Sequence, residues 1–151
     1  MRTDIESVLR EFYPNIAFES PYAYEGLAAR LKAVQEKKEI YKIIGEIRSR
    51  VSRDMEHHTA AGGNVSELVF LKDGALSLKL SYLAPFAEVD DMHANTLPAQ
   101  ERQRLMAELR MVLEKFEYMV LTRDELNEEV AWINVCPKVT VRECLFGREG
   151  V

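Results

Sequence analysis

The side chains best suited to chemistry in this chain are its three histidines, His57, His58 and His93. Imidazole changes charge near neutral pH and is the commonest metal ligand. Asp54 and His58 stand four apart, so on a helix they share a face and could share a metal. Glu56, Asp90, Asp91 and His93 could complete such a set. The recognised ligand spacings are missing, since the chain contains no HExxH, no CxxC and no HxH. A plainer reading is that His57 and His58 sit at a helix C-terminus, where bare carbonyls and the macrodipole favour them. Gly62-Gly63, just beyond, suits such an end.

Other reactive groups lack the settings that would activate them. Gly62-Gly63 is too short for a phosphate cradle, and no Gly-Lys-Ser/Thr follows. Cys136 and Cys144 are the two cysteines. A nucleophilic thiol needs a neighbouring base and a lowered pKa, whereas Cys144 lies among Val141, Leu145 and Phe146, and a buried structural thiol is expected. Ser49, Ser52 and Ser66 have no GxSxG-like surroundings. No cofactor and no metal site are expected.

Charge is distributed unevenly. Residues 28–58 carry eight basic and five acidic side chains, whereas residues 86–129 carry five basic and eleven acidic ones. The formal net charge of −5 opposes nonspecific nucleic-acid binding, which requires cations to neutralise phosphates. An acidic surface can instead steer and hold a basic protein. The candidate contact residues are Asp90 and Asp91, the cluster Asp124, Glu125, Glu128 and Glu129, and Trp132, the single tryptophan. Tryptophan beside carboxylates has the composition of a contact hot spot; its competing role is core packing.

These residues lead to two functional expectations. The first is a non-enzymatic protein-binding domain, an inhibitor of the immunity type that masks a basic partner such as a toxin. The second is a small-molecule or metal-dependent enzyme built on His57, His58 and His93, which requires the three to converge. A homodimer through the helix that carries Leu105 to Phe116 is a further arrangement. No apolar run approaches the roughly 20 residues that span a bilayer, and the charged start MRTDIESVLREF has no signal-peptide core. A cytoplasmic protein with no membrane partner is expected.

The elements that must position these groups follow from hydrophobic periodicity. Leu76, Leu78, Leu80 and Tyr82 alternate with Ser77, Lys79 and Ser81, the denser apolar run Leu68 to Leu71 precedes them, and Lys72-Asp73-Gly74 stands between; residues 67–83 thus have the pattern of a β-hairpin with a type I′ turn. Thr3 to Glu6 has capping-box spacing, and Ile5, Val8, Leu9 and Phe12 follow at helical intervals until Tyr13-Pro14. Ile16 and Phe18 suit a short extended contact, and Leu27, Leu31 and Val34 a second helix. Ile40, Ile43, Ile44, Ile47, Val51 and Met55 form a core-facing helical stripe, within which Gly45 suggests close packing. Residues 59–64 read as a loop. Leu105, Leu109, Val112 and Phe116 line a helix over about 98–117. Thr122 to Glu125 form a second capping box, with Leu121 and Leu126 as its hydrophobic staple. Residues 138–146 alternate and predict a strand pairing with the hairpin. The expected architecture is a single α+β domain over residues 1–151, with an antiparallel sheet of hairpin 67–83 and strand 138–146 packed against amphipathic helices.

Overall fold

The computed structural model describes residues 1–14, 37–59, 65–134 and 137–147. The expectations for Ile16 and Phe18, for the helix through Leu27, Leu31 and Val34, for the loop glycines Gly62 and Gly63, and for Cys136 lie outside the described residues.

The architecture is α+β. Among the described residues five strands, β1 (Met55–Thr59), β2 (Ser66–Leu71), β3 (Leu76–Ser81), β4 (Phe86–Asp90) and β5 (Met119–Val120), form one sheet in the order β1-β2-β3-β4-β5. The first four pair antiparallel, and β5 joins β4 in parallel. The helices are α1 (Thr3–Phe12), α2 (residues 37–50), α3 (Ala99–Lys115), α4 (Arg123–Asn127) and α5 (Val141–Phe146).

The hairpin forms as the alternation requires. Asp73 and Gly74 occupy the centre of a turn closed by Ala75 N–H donating to the Lys72 carbonyl at 3.1 Å, and both have positive φ, 55° and 85°. Such angles are those a type I′ turn needs. Inward residues Val69, Leu71, Leu76, Leu78 and Leu80 are buried, while Phe70, Ser77 and Lys79 on the other face are half-buried.

Two cores result. Helices α2 and α3 cover the inward face of the sheet through Ile40, Ile43, Ile44, Ile47, Leu105, Leu109 and Val112. Lys115 ties the two helices together through Glu46 at 2.9 Å, holding that carboxyl below the usual carboxylate range. A second core fills the end of the sheet, where α1, α4 and α5 bring together Leu9, Phe12, Leu126, Val141, Leu145 and Phe146.

Several expectations are corrected. The isoleucine stripe of α2 runs as expected to Val51, but Met55 belongs to β1, so His57 and His58 stand on a strand and not at a helix end. The N-cap of α1 is Arg2, with no side-chain capping bond; Arg2 instead pairs with Asp4 at 2.7 Å. By contrast, the Thr122–Glu125 box is fully formed, with Leu121 and Leu126 both buried beside it.

The largest correction concerns residues 138–146, which are not a strand of the sheet. Strand character is confined to a single bridge between Glu129 and Thr140, after which α5 begins. Thr140 and Glu143 cap each other's backbone in a reciprocal box, and that spacing outweighs the Val139/Val141 alternation. Helix ends leave carbonyls without intrahelical partners. Here three hydroxyls supply them: Tyr13 donates to the Cys144 carbonyl, Ser81 to Leu145 and Ser66 to Phe146, each at 2.7 Å.

Gly45 is exposed, and a Cβ built there meets nothing within 4 Å, so it makes no close packing contact. Gly45→Ala is therefore expected to stabilise the protein by about 0.5–1 kcal/mol, the cost of glycine within a helix. Chemical denaturation checks it; an unchanged midpoint contradicts it.

Candidate functional site

Among the described residues, the sheet's inward face carries one acidic residue among its aliphatic side chains. Glu67 is in phase with Val69 and Leu71 on β2 and is 0% exposed. Buried carboxylates are tolerated only when hydrogen-bonded or paired. The Tyr82 hydroxyl donates to Glu67 Oε1, and His57 Nε2 lies 2.9 Å from Oε2. The strand register explains the second contact: His57 faces Val69, so Glu67 is its diagonal neighbour on the same face. Tyr41 of α2 packs edge-on against His57 with ring centroids 5.7 Å apart, and Lys37 lies over Tyr41. Burial first, then the Glu67 carboxylate, pushes the Tyr82 hydroxyl far above the usual phenol range, so it remains a hydrogen-bond donor.

This cluster is a chemical tie between strands. Its carboxylate has no exposure through which a substrate could be reached, and Tyr82 itself is 3% exposed. A depression of about 340 Å³ lies where the two cores meet, lined by Ile43, Tyr82, Leu83, Phe116 and Tyr118, with the carboxylate residues Glu11 and Glu39 also in its wall. No histidine or cysteine lines it among the described residues. Sequence analysis missed Glu67 as a key residue. The signal was available, since an acidic side chain stood in the inward phase of an otherwise apolar alternation.

The three histidines do not converge. His57 turns inward and His58 outward on successive positions of β1, where His58 packs on Phe70. His93 follows β4 and precedes a short 3-10 turn, Ala94–Thr96. Strands β1 and β4 are three places apart in the sheet, a span of about 14 Å at ordinary strand spacing. Asp54 and His58 no longer share a helical face, and no group of three or more His, Cys, Asp or Glu side chains is disposed to hold a metal among the described residues. Cys144 is buried within α5.

The acidic candidates divide into two groups. Glu125 and Glu128 serve the fold: Glu125 closes the α4 capping box and accepts from Arg2 at 2.9 Å, and Glu128 lies 2.9 Å from the Met1 ammonium. Asp90, Asp91, Asp124 and Glu129 are exposed and, among the described residues, form no ion pair. Asp90 accepts from the Met92 amide at 2.9 Å, closing the turn after β4. Trp132 is half-buried against the second core; its indole N–H donates to the Tyr13 carbonyl at 2.8 Å, and the Arg10 guanidinium covers its ring at 4.0 Å. Arg142 bridges Glu88 of β4 and Asn127 of α4. No helix among the described residues is long and apolar enough to cross a membrane.

No protein-family model, no curated protein and no solved structure matches this chain.

Proposed function

We propose that the protein is a non-enzymatic protein-binding domain, an inhibitor of the immunity type. It acts in the cytoplasm by masking a basic partner such as a toxin. One observation carries the reading. Asp90, Asp91, Asp124 and Glu129 stand exposed without an ion pair among the described residues, while His57, Glu67 and Tyr82 are tied to one another within the fold. Exposed carboxylates retain their charge for a partner and lose little by binding one. A partner's lysines and arginines, arranged to hold a phosphate-bearing substrate, would meet these carboxylates in its place. The whole chain serves as one binding domain in this reading, with a protein and not a nucleic acid opposite the acidic face.

Salt provides the test. Ion pairs between exposed charges weaken as the screening length falls from about 10 Å at 0.1 M to about 3 Å at 1 M ionic strength. The tagged chain and a variant carrying Asp90→Asn, Asp91→Asn, Asp124→Asn and Glu129→Gln are compared for proteins captured from cell extract. The expected result is a basic protein held by the wild type, released as salt is raised, and not held by the variant. Capture that is indifferent to salt, or to the four substitutions, contradicts the proposal.

A further inference from the structure

Strand β1 ends the described sheet, and its outer edge is chemically unfinished. Lys72 N–H donates to the Asp54 carbonyl at 3.0 Å. In an antiparallel ladder hydrogen-bonded pairs recur at every second residue. Glu56–Phe70 and His58–Leu68 are therefore the bonded pairs in the β1–β2 register. The backbone groups of Met55, His57 and Thr59 then point away from β2, and none has a hydrogen-bond partner among the described residues. A row of three outward amide and carbonyl sets is a template for another strand.

We propose that this edge pairs with the same edge of a second copy of the chain, antiparallel about a twofold axis through His57. The sequence of β1 is complementary to itself in that register. The outward groups of Met55 meet those of the partner's Thr59, and His57 meets the partner's His57. The intervening positions then set Glu56 directly opposite the partner's His58, and His58 opposite the partner's Glu56. These side chains share the solvent face of the strand; they are 76% and 56% exposed and already attract each other within one chain at 3.4 Å. Non-hydrogen-bonded pairs bring side chains closest across antiparallel strands, with Cα atoms about 4.5 Å apart. On the helix side, each His57 remains bound to its own Glu67, and Tyr41, 42% exposed and packed on His57, lies beside the axis. The join would continue one sheet into the next and remove both open edges. It uses the opposite edge of the sheet from β4 and β5 and does not depend on the acidic-face reading.

Charge exchange tests the register. Sedimentation of the full chain at pH 6 is expected to show a concentration-dependent dimer. His58→Glu sets carboxylate against carboxylate, and Glu56→His sets imidazole against imidazole. Each alone is expected to weaken dimerisation on the order of tenfold or more, from the reversal of two cross-strand charge pairs. The two together restore attraction with the partners exchanged, and dimerisation returns. Both positions are solvent-exposed, and an unchanged melting temperature shows that each variant folds. A wild type that stays monomeric at all concentrations overturns the proposal. So does a dimer indifferent to the single substitutions, or one the double exchange fails to rescue.

Discussion

Glu67→Ala is expected to destabilise the protein by about 3 kcal/mol or more, as removal of one member of a buried, hydrogen-bonded pair does. The substitution leaves two polar groups without their acceptor, the Tyr82 hydroxyl and His57 Nε2. Tyr82 is buried, so its hydroxyl gains no water in exchange. Alanine also leaves a void beneath α2. Glu67→Gln keeps the volume and one acceptor oxygen, and its cost is expected to be smaller. Tyr82→Phe removes the donor alone and leaves a carboxylate oxygen undersatisfied. Because Glu67 and Tyr82 touch, the double variant is expected to cost less than the two single costs combined. Urea denaturation of the wild type, Glu67→Ala, Tyr82→Phe and their double variant measures this coupling. A loss below about 1 kcal/mol for Glu67→Ala, typical of an exposed ion pair, contradicts the structural role assigned to the cluster.

Phe146→Ala is expected to cost about 3–5 kcal/mol, the range for deleting a buried aromatic side chain. Phe146 is 2% exposed and closes the second core against Val65, Leu9 and Leu145. It also ends α5, whose last carbonyls are held by the hydroxyls of Tyr13, Ser66 and Ser81. Losing the ring loosens the helix that those hydroxyls grip, so the effect reaches α1 and the hairpin together. For a domain of about 150 residues, such a loss lowers the melting temperature by roughly 10 °C. If residues 138–146 were a solvent-edged strand, the same substitution would cost far less, and a shift of only a degree or two would contradict the helix.

The parts of the fold legible in the sequence were those with strong local signals. The hairpin announced itself because period-two alternation and Asp73-Gly74 agreed with each other. The stripe of α2 and the box at Thr122 and Glu125 were equally local. What misled was competition between signals over short spans. Residues 138–146 show alternation and a capping box at once, and three distant hydroxyls tip the balance toward helix. No local pattern reveals a serine on β2 donating to a carbonyl eighty residues later. Met55 continued the helical spacing of the isoleucines, yet the Ser52–Asp54 turn ended it, with Ser52 donating to the Asp54 carbonyl at 3.1 Å. That single boundary moved His57 and His58 from a helix end to a strand and dissolved the metal-ligand geometry.

The site was less legible than the fold. The exposed carboxylates could be named from composition, but their pairing could not. Glu125 and Glu128 are bound by Arg2 and Met1, residues more than a hundred positions away. Trp132 is likewise claimed by Tyr13 and Arg10. Long-range partners of this kind have no signature in sequence spacing, and among the described residues they reduce the candidate contact acids that form no ion pair to Asp90, Asp91, Asp124 and Glu129.

The account separates groups that hold the molecule together from groups that face a partner. The most direct measurement is partner capture by the variant carrying Asp90→Asn, Asp91→Asn, Asp124→Asn and Glu129→Gln, alongside its melting temperature. The account predicts that melting is unchanged within about a degree, since exposed substitutions of this kind move stability little, and that the basic partner held by the wild type is lost. A variant that still holds that partner as firmly as the wild type would contradict it.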